Sequence, residues 1–301
     1  RGNISFEHEG AYLGGLELAI AVRNHGGLVI AQVKRVTANG SARPHDVHIP
    51  GNLVDLIVVD PDQKQTTETV YDPAISGEVR HPWSNFDPVD YGLEKVLARR
   101  AALELSAGQS AVLGFGISAN VPRILLEEGY PQSITWLIEQ GAVGGVPLTG
   151  FAFGCAANAD SILPSPIQFM YFQGGGFDVA FLSFMEIDRE GNVNVSKLGK
   201  KPYLTAGCGG FVDITSHAKK IVFSGYFEAG AKFDLNEDGL KITAPGKFSK
   251  IVEEVEHVTF SGLRARETGQ EVIYITERCV MRLEERGLVA TEIMPGIDVQ
   301  R

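Results

Sequence analysis

Short apolar runs recur along the chain, each stopped by glycine, proline or a polar cluster. Between residues 7 and 25, Leu13, Leu16, Leu18, Ala19, Ala21 and Val22 precede Gly26-Gly27, which predicts a helix with a glycine stop. Gly10, Gly14 and Gly15 weaken its first half. Leu28 to Val33 predicts a strand. Asn39-Gly40-Ser41, Pro44 and Pro50 then mark turns. Leu53 to Val59, interrupted only by Asp55, predicts a second strand, parallel and buried.

Pro61, Pro73, Pro82 and Pro88, with polar residues between them, predict a linker over 61–89. Asp90 is placed to cap a helix over 91–105. Strand and helix patterns then alternate. Strands are predicted at 111–115, 134–138, 177–184 and 220–227. A helix is predicted at 121–128, with Pro122 in its first turn and Gly129 after it. Residues 271–283 are apolar and β-branched early on. This alternation predicts an α/β fold: an open, mainly parallel sheet with helices on both faces. Two α/β domains follow. Residues 1–60 read as the end of a first domain whose opening strands are absent, and 90–301 as a second domain.

The chain has 301 residues, enough for about two domains. Glycine is abundant at 35 without any low-complexity tract, which points to tight turns and close approaches. The net charge of −10 argues against nucleic acid as a partner, because phosphate backbones need a basic face. Cys155, Cys208 and Cys279 are widely spaced, so neither a disulfide framework nor a zinc site is expected and a cytoplasmic setting fits. The seven histidines show no metal spacing, and no metal is expected. No apolar run reaches the roughly 18 residues that span a bilayer, and no signal-peptide pattern is visible. The chain opens Arg1-Gly2-Asn3 rather than with Met, and reads as a piece of a longer polypeptide.

The candidate chemistry centres on Ile138 to Pro147. An apolar run delivers one carboxylate, Glu139, to Gly141, Gly144 and Gly145. An acid at the carboxyl end of a buried strand sits where open α/β sheets bind ligands, and the glycines allow close backbone approach. Gly114-Phe115-Gly116-Ile117-Ser118-Ala119 fits G-x-G-x-x-G/A, with Glu139 twenty residues past Ala119. By that rule the residues bind a dinucleotide, and the protein is an NAD-dependent oxidoreductase. Any adenine-nucleotide-like ligand crossing a strand–helix turn suits them equally. Asp188 to Val195 predicts a tight hairpin with Glu190-Gly191-Asn192 at its tip. Asn192 is a plain turn residue or an amide that aims a carboxylate. Gly207-Cys208-Gly209-Gly210 is a further glycine loop, and Lys247 is one of several lysines able to meet a phosphate.

Several motifs, taken together and in order, resemble the family I CoA-transferases, in particular the fused-subunit acetate/propionate type. They are Ile138 to Gly145, Gln173-Gly174-Gly175-Gly176-Phe177-Asp178, Gly191 to Lys197 and Ala206 to Phe211. Phe260-Ser261-Gly262, Tyr274 to Arg278 and Pro295-Gly296-Ile297-Asp298 extend the likeness to the C-terminus. The resemblance implies that Glu139 is the nucleophile and Asn192 the residue that orients it. It implies coenzyme A contacts at Gly114, Phe115, Gly116, Ile117 and Ser118, and at Gly209, Gly210 and Lys247. Gln140 departs from the Asn or Ser common at that place. Coenzyme A would be substrate and covalent intermediate, with no tightly bound cofactor. Expected partners are an acyl-CoA, a short-chain carboxylate, the missing N-terminal half and further copies of the chain, as dimer or tetramer.

Overall fold

The computed structural model describes residues 2–200, 202 and 204–298. The chain forms two compact units, one of residues 1–82 and 138–168, the other of 83–137 and 169–301.

The second unit is built on seven strands, in the order Thr135–Leu137, Ser110–Leu113, Val179–Leu182, Lys220–Ser224, Glu271–Ile275, Cys279–Glu284 and Gly287–Ile293. The first five run parallel. The last two fold back antiparallel, so the apolar stretch at 271–283 is two strands split by Glu277-Arg278. Ala111 to Leu113, Val179 to Phe181, Ile221 to Phe223 and Val272 to Ile275 are almost wholly buried. That is why they read as unbroken apolar runs: a parallel strand is covered on both faces. The Phe223 ring lies 5.3 Å from both Tyr274 and Phe260 and fixes the centre of this core.

The helix Leu93–Ala102 buries Leu97, Ala98, Ala101 and Ala102 and packs on Lys220–Ser224 and Glu271–Ile275. Its N-cap is Gly92, not Asp90, and no side chain caps it. Arg100 bonds Glu104 at 2.8 Å and Glu292 at 2.7 Å, which ties the helix to the last strand. The helix Val121–Glu127 ends where Gly129 turns left-handed at φ +86°. Helices at Ser165–Gln173, Phe211–His217 and Gly262–Thr268, and the hairpin Lys232–Asn236/Gly239–Ala244, were not anticipated from the sequence pattern.

In the first unit, Ile30–Val33 pairs in parallel with Leu56–Val59 as expected. The burial expectation fails, however: Leu56 and Val58 are each 51% exposed. A parallel strand is buried only where other elements pack on both its faces, and among the described residues those of Leu56–Val59 stay largely open. The preceding helix is confined to Gly15–Asn24, because Leu13 at φ +51° breaks the backbone before it. It buries only Ala19 and leaves Leu18 67% exposed.

The first unit takes in residues 61–82 together with 138–168. Residues 61–82 are ordered against 156–160. Asn158 donates its N–H to the Ala74 carbonyl at 2.9 Å. Its side-chain amide makes a reciprocal pair with the His81 backbone, each bond 2.8 Å. Arg80 meets Asp160 at 3.0 Å. These bonds hold a proline-rich stretch that composition alone marks as a linker.

Candidate active site

Glu139 lies two residues past the carboxyl end of the Thr135–Leu137 strand. A tight turn carries it. The Ile138 N–H donates to Ala142 O at 2.9 Å, and the Gly141 N–H returns to Ile138 O at 2.8 Å. Glu139 and Gln140 form the tip, both half-buried. The glycines serve packing before anything else. A Cβ on Gly141, at φ +122°, would lie 1.8 Å from the Leu163 carbonyl oxygen. One on Gly145 would lie 2.4 Å from Ala157 O, and one on Gly144 would lie 2.2 Å from an Asp160 carboxylate oxygen. Leu163 N–H donates to Gly141 O, and the Ser165 hydroxyl donates to the Glu139 carbonyl, both at 2.8 Å. The 157–165 stretch thus clamps the turn from one side. The Gly141 amide, expected to face a ligand, is spent inside the turn.

In the second unit, Gly114 to Ser118 leaves the carboxyl end of Ser110–Leu113, the neighbour of Thr135–Leu137. Gly114 donates to Phe181 O at 2.8 Å, and a Cβ there would lie 2.9 Å from Leu182. Gly116, at φ +122°, passes Ser183 closely. Phe115 is 61% exposed, whereas Ile117 and Ser118 are buried. The Ser118 and Ser224 hydroxyls meet at 2.5 Å and anchor the loop to the next strand end. Gly210 begins the helix Phe211–His217; Gly209, at φ +51°, is exposed beside it. Lys247 is exposed, its N–H bonded to Ala229 O at 2.9 Å.

The hairpin expected at 188–195 is present, as Glu186–Asp188 paired with Val193–Asn194. At its tip the Asn192 side chain donates to Asp188 at 3.0 Å and accepts from the Gly262 N–H at 3.0 Å. One amide N–H of Asn192 is left beyond these bonds. Burial pushes the Cys155 thiol up to about 11 and raises Cys279 as well, so neither suits nucleophilic work at neutral pH. No group of three or more His, Cys, Asp or Glu that could hold a metal exists among the described residues. None of their helices is long and apolar enough to cross a membrane.

Two polar residues at the strand ends were given no site role from the sequence. Burial raises the carboxyl of Glu277, which accepts the Phe227 N–H at 2.6 Å. Burial also lowers Lys250, whose ammonium donates to Phe184 O at 3.4 Å and lies over the Phe184 ring. In sequence each is one charge among many; only the fold brings them to the strand ends.

A mainly parallel α/β sheet with glycine-rich loops at its strand ends defines a ligand-binding α/β class. Comparison with known proteins narrows it. No protein-family model matches the chain. It is 43% identical to caffeate CoA-transferase of Acetobacterium woodii, with all of this chain and 58% of that protein aligned. It is 40% identical to acetate CoA-transferase YdiF of Escherichia coli K12, again over all of this chain and 56% of that protein. The crystal structure of E. coli O157:H7 acyl-CoA transferase YdiF in a thioester complex with CoA matches with TM-score 0.88 and 38% identity, over 100% of this chain and 56% of that one. The chain belongs to the family I CoA-transferases. It spans a little over half the length of these relatives. The dinucleotide reading of Gly114 to Ala119 finds no support: these relatives are CoA-transferases, and the glycines open a 3-10 turn, Ile117–Asn120, rather than a helix directly.

Proposed function

We propose that the protein to which this chain contributes moves coenzyme A between a short-chain acyl-CoA and a free carboxylate, with Glu139 as nucleophile. The observation that carries the reading is the clamped turn: one carboxylate at a strand's carboxyl end, on a backbone that its neighbours hold in place. The Glu139 carboxylate attacks the thioester carbonyl carbon. The C–S bond breaks, CoA leaves as thiolate, and an acyl–glutamyl anhydride remains. The thiolate attacks the glutamyl carbonyl, the acyl carboxylate departs, and a glutamyl-CoA thioester is left. A second carboxylate runs both steps in reverse, giving ping-pong kinetics. Each nucleophile is already an anion, so no general base is needed. Oxyanion stabilisation by N–H donors is needed, and one good donor is worth about 3–4 kcal/mol.

In this reading the family resemblance makes Asn192 the residue that orients the Glu139 carboxylate. Gly114 to Ser118, Gly209, Gly210 and Lys247 contact coenzyme A in this reading, with Ile117 and Ser118 acting as anchors behind Phe115 and Gly116. The relatives named for acetate and for caffeate bracket the acceptor, and we favour a small acid of the acetate type. The exposed apolar faces of Leu56–Val59 and of the Gly15–Asn24 helix suit cover by a further polypeptide segment or chain. Copies of the completed protein then assemble as a dimer or tetramer.

The test is chemical trapping. Acyl-CoA without acceptor, followed by borohydride, should inactivate the complete enzyme and reduce the side chain of Glu139 to the alcohol. A label on Cys208, or no label, refutes the reading.

A further inference from the structure

CoA transfer through Glu139 needs an N–H donor for the oxyanion that forms on the glutamyl carbonyl. The turn's own Ile138 and Gly141 N–H groups are already bonded, to Ala142 O and Ile138 O. A donor has to come from outside these two.

The same unit holds a side chain with a donor to spare. Gln168 is fully buried, at 0% exposure, and neither its Nε2 nor its Oε1 has a hydrogen-bond partner. Among the described residues no other side chain leaves two buried polar atoms unmet. Such an orphan is costly in a native fold and calls for a reason. The backbone supplies none: the Gln168 N–H donates to Pro164 O at 3.1 Å, as an ordinary member of Ser165–Gln173. The core beside the turn is apolar, with Ile138, Ala142 and Val146 buried. An apolar side chain of like shape would sit there without that cost.

The helix that carries Gln168 is tied to the Glu139 turn. Its first residue, Ser165, donates its hydroxyl to the Glu139 carbonyl at 2.8 Å and its N–H to Leu13 O at 3.0 Å. Gln168 follows three residues later, and positions i and i+3 share a helix face. Traced through the Ser165 bond, the Cα atoms of Glu139 and Gln168 are at most about 13 Å apart. Two side chains of about 5 Å each and one hydrogen bond of about 3 Å span that separation.

We propose that Gln168 is a further catalytic residue, whose amide N–H bonds the glutamyl carbonyl oxygen of Glu139 as negative charge develops on it. The assignment rests on the CoA-transfer reading. When the CoA thiolate attacks the glutamyl carbonyl carbon, a C–S bond forms and the carbonyl electron pair moves to oxygen, which accepts the Gln168 N–H. Collapse expels the acyl carboxylate and restores the carbonyl; the amide keeps its proton throughout. A donor unmet in the resting enzyme adds nothing to ground-state binding, so its bond lowers the barrier.

The test is Gln168→Met in the complete enzyme. Methionine keeps the unbranched stem and its length and removes the donor. Exchange of labelled carboxylate into acyl-CoA should fall about 10²- to 10³-fold in kcat, the loss for one oxyanion donor, with both KM values within about threefold of wild type. The melting temperature should hold or rise, because an unmet amide gives way to an apolar group of like shape. Without acceptor, borohydride trapping at Glu139 should approach the wild-type yield, at a rate lowered by a like factor. Wild-type kcat in Gln168→Met overturns the assignment, as does a rise in KM at unchanged kcat. A melting temperature that falls also overturns it, since the amide would then be bonded within the fold. Failure of the wild-type enzyme to exchange CoA or to be trapped at Glu139 sinks the transfer reading instead.

Discussion

Replacing Gly141 by alanine adds one methyl group where the turn has no room. The added Cβ would sit 1.8 Å from the Leu163 carbonyl oxygen, against an ordinary carbon contact of roughly 3.5 Å. Backbone must therefore yield by about 1.5 Å or more, and the 2.8 Å bond from Leu163 N–H to Gly141 O lies on the path of that shift. The φ of +122° adds a penalty of about 1–3 kcal/mol for any residue with a Cβ. With the strained bond included, unfolding free energy should fall by about 2–4 kcal/mol. Glu139 lies two residues away on the same turn, and a displacement near 1 Å at a reacting group costs about 10²-fold. Exchange of labelled carboxylate into acyl-CoA should then drop at least about 10²-fold in kcat. Gly129→Ala is the control: its φ is +86° and nothing lies within 4 Å of the added Cβ. It should lose about 1–2 kcal/mol and keep its turnover. Wild-type exchange by Gly141→Ala, or equal loss in both variants, refutes the claim that close packing of this turn aims the carboxylate.

Glu139→Ala should lose exchange by several orders of magnitude while its denaturant midpoint stays near wild type, because a half-buried turn acid contributes little to the core; residual exchange near wild type would exclude Glu139 as nucleophile. Asn192→Ala should cost about 1–3 kcal/mol, because Asp188 loses a donor and the Gly262 N–H its acceptor; a loss of turnover beyond that expected from instability marks the aiming role, and unchanged turnover returns Asn192 to the hairpin alone. Burial raises the Glu104 carboxyl, but its bonds to Lys220 and Arg100 outweigh burial and hold it below its ordinary value. Its folded-state value is thus depressed, so its contribution is present above the unfolded pKa near 4.5 and is lost as pH falls through the folded one. Glu104→Gln should shrink the acid-side loss of stability in a pH series of urea melts.

The parallel strands were legible because burial on both faces leaves an unbroken apolar run, as at 179–182 and 220–224. Glu139 was legible because no turn or cap preference calls for an acid between such a run and three glycines. The Ser165–Gln173 helix was hidden: Ser-Pro-Ile-Gln-Phe-Met-Tyr-Phe-Gln has no polar stripe and carries Pro166 in its first turn. Residues 61–82 looked like a linker because the bonds that order them come from Asn158, far along the chain. Exposure of Leu56 to Val59 could not be read either, since pattern reports what a strand is suited to meet, not whether it is met. Gln168 and Lys250 carry no local signature at all; their interest comes from what surrounds them.

The pin at Asn158 also sets an order of assembly. His81 and Asn158 lie 77 positions apart. The ribosome must therefore make all of 83–137, including two strands of the other unit, before the first unit can close. Contacts of such separation form late, because the loop-closure entropy must be met before they contribute. Until 158 emerges, residues 61–82 remain an extended, proline-punctuated nascent segment open to proteases and chaperones. The turn bearing Glu139 receives its clamp from 157–165 only in that final step, so this carboxylate is positioned by one of the last local folding events of its unit.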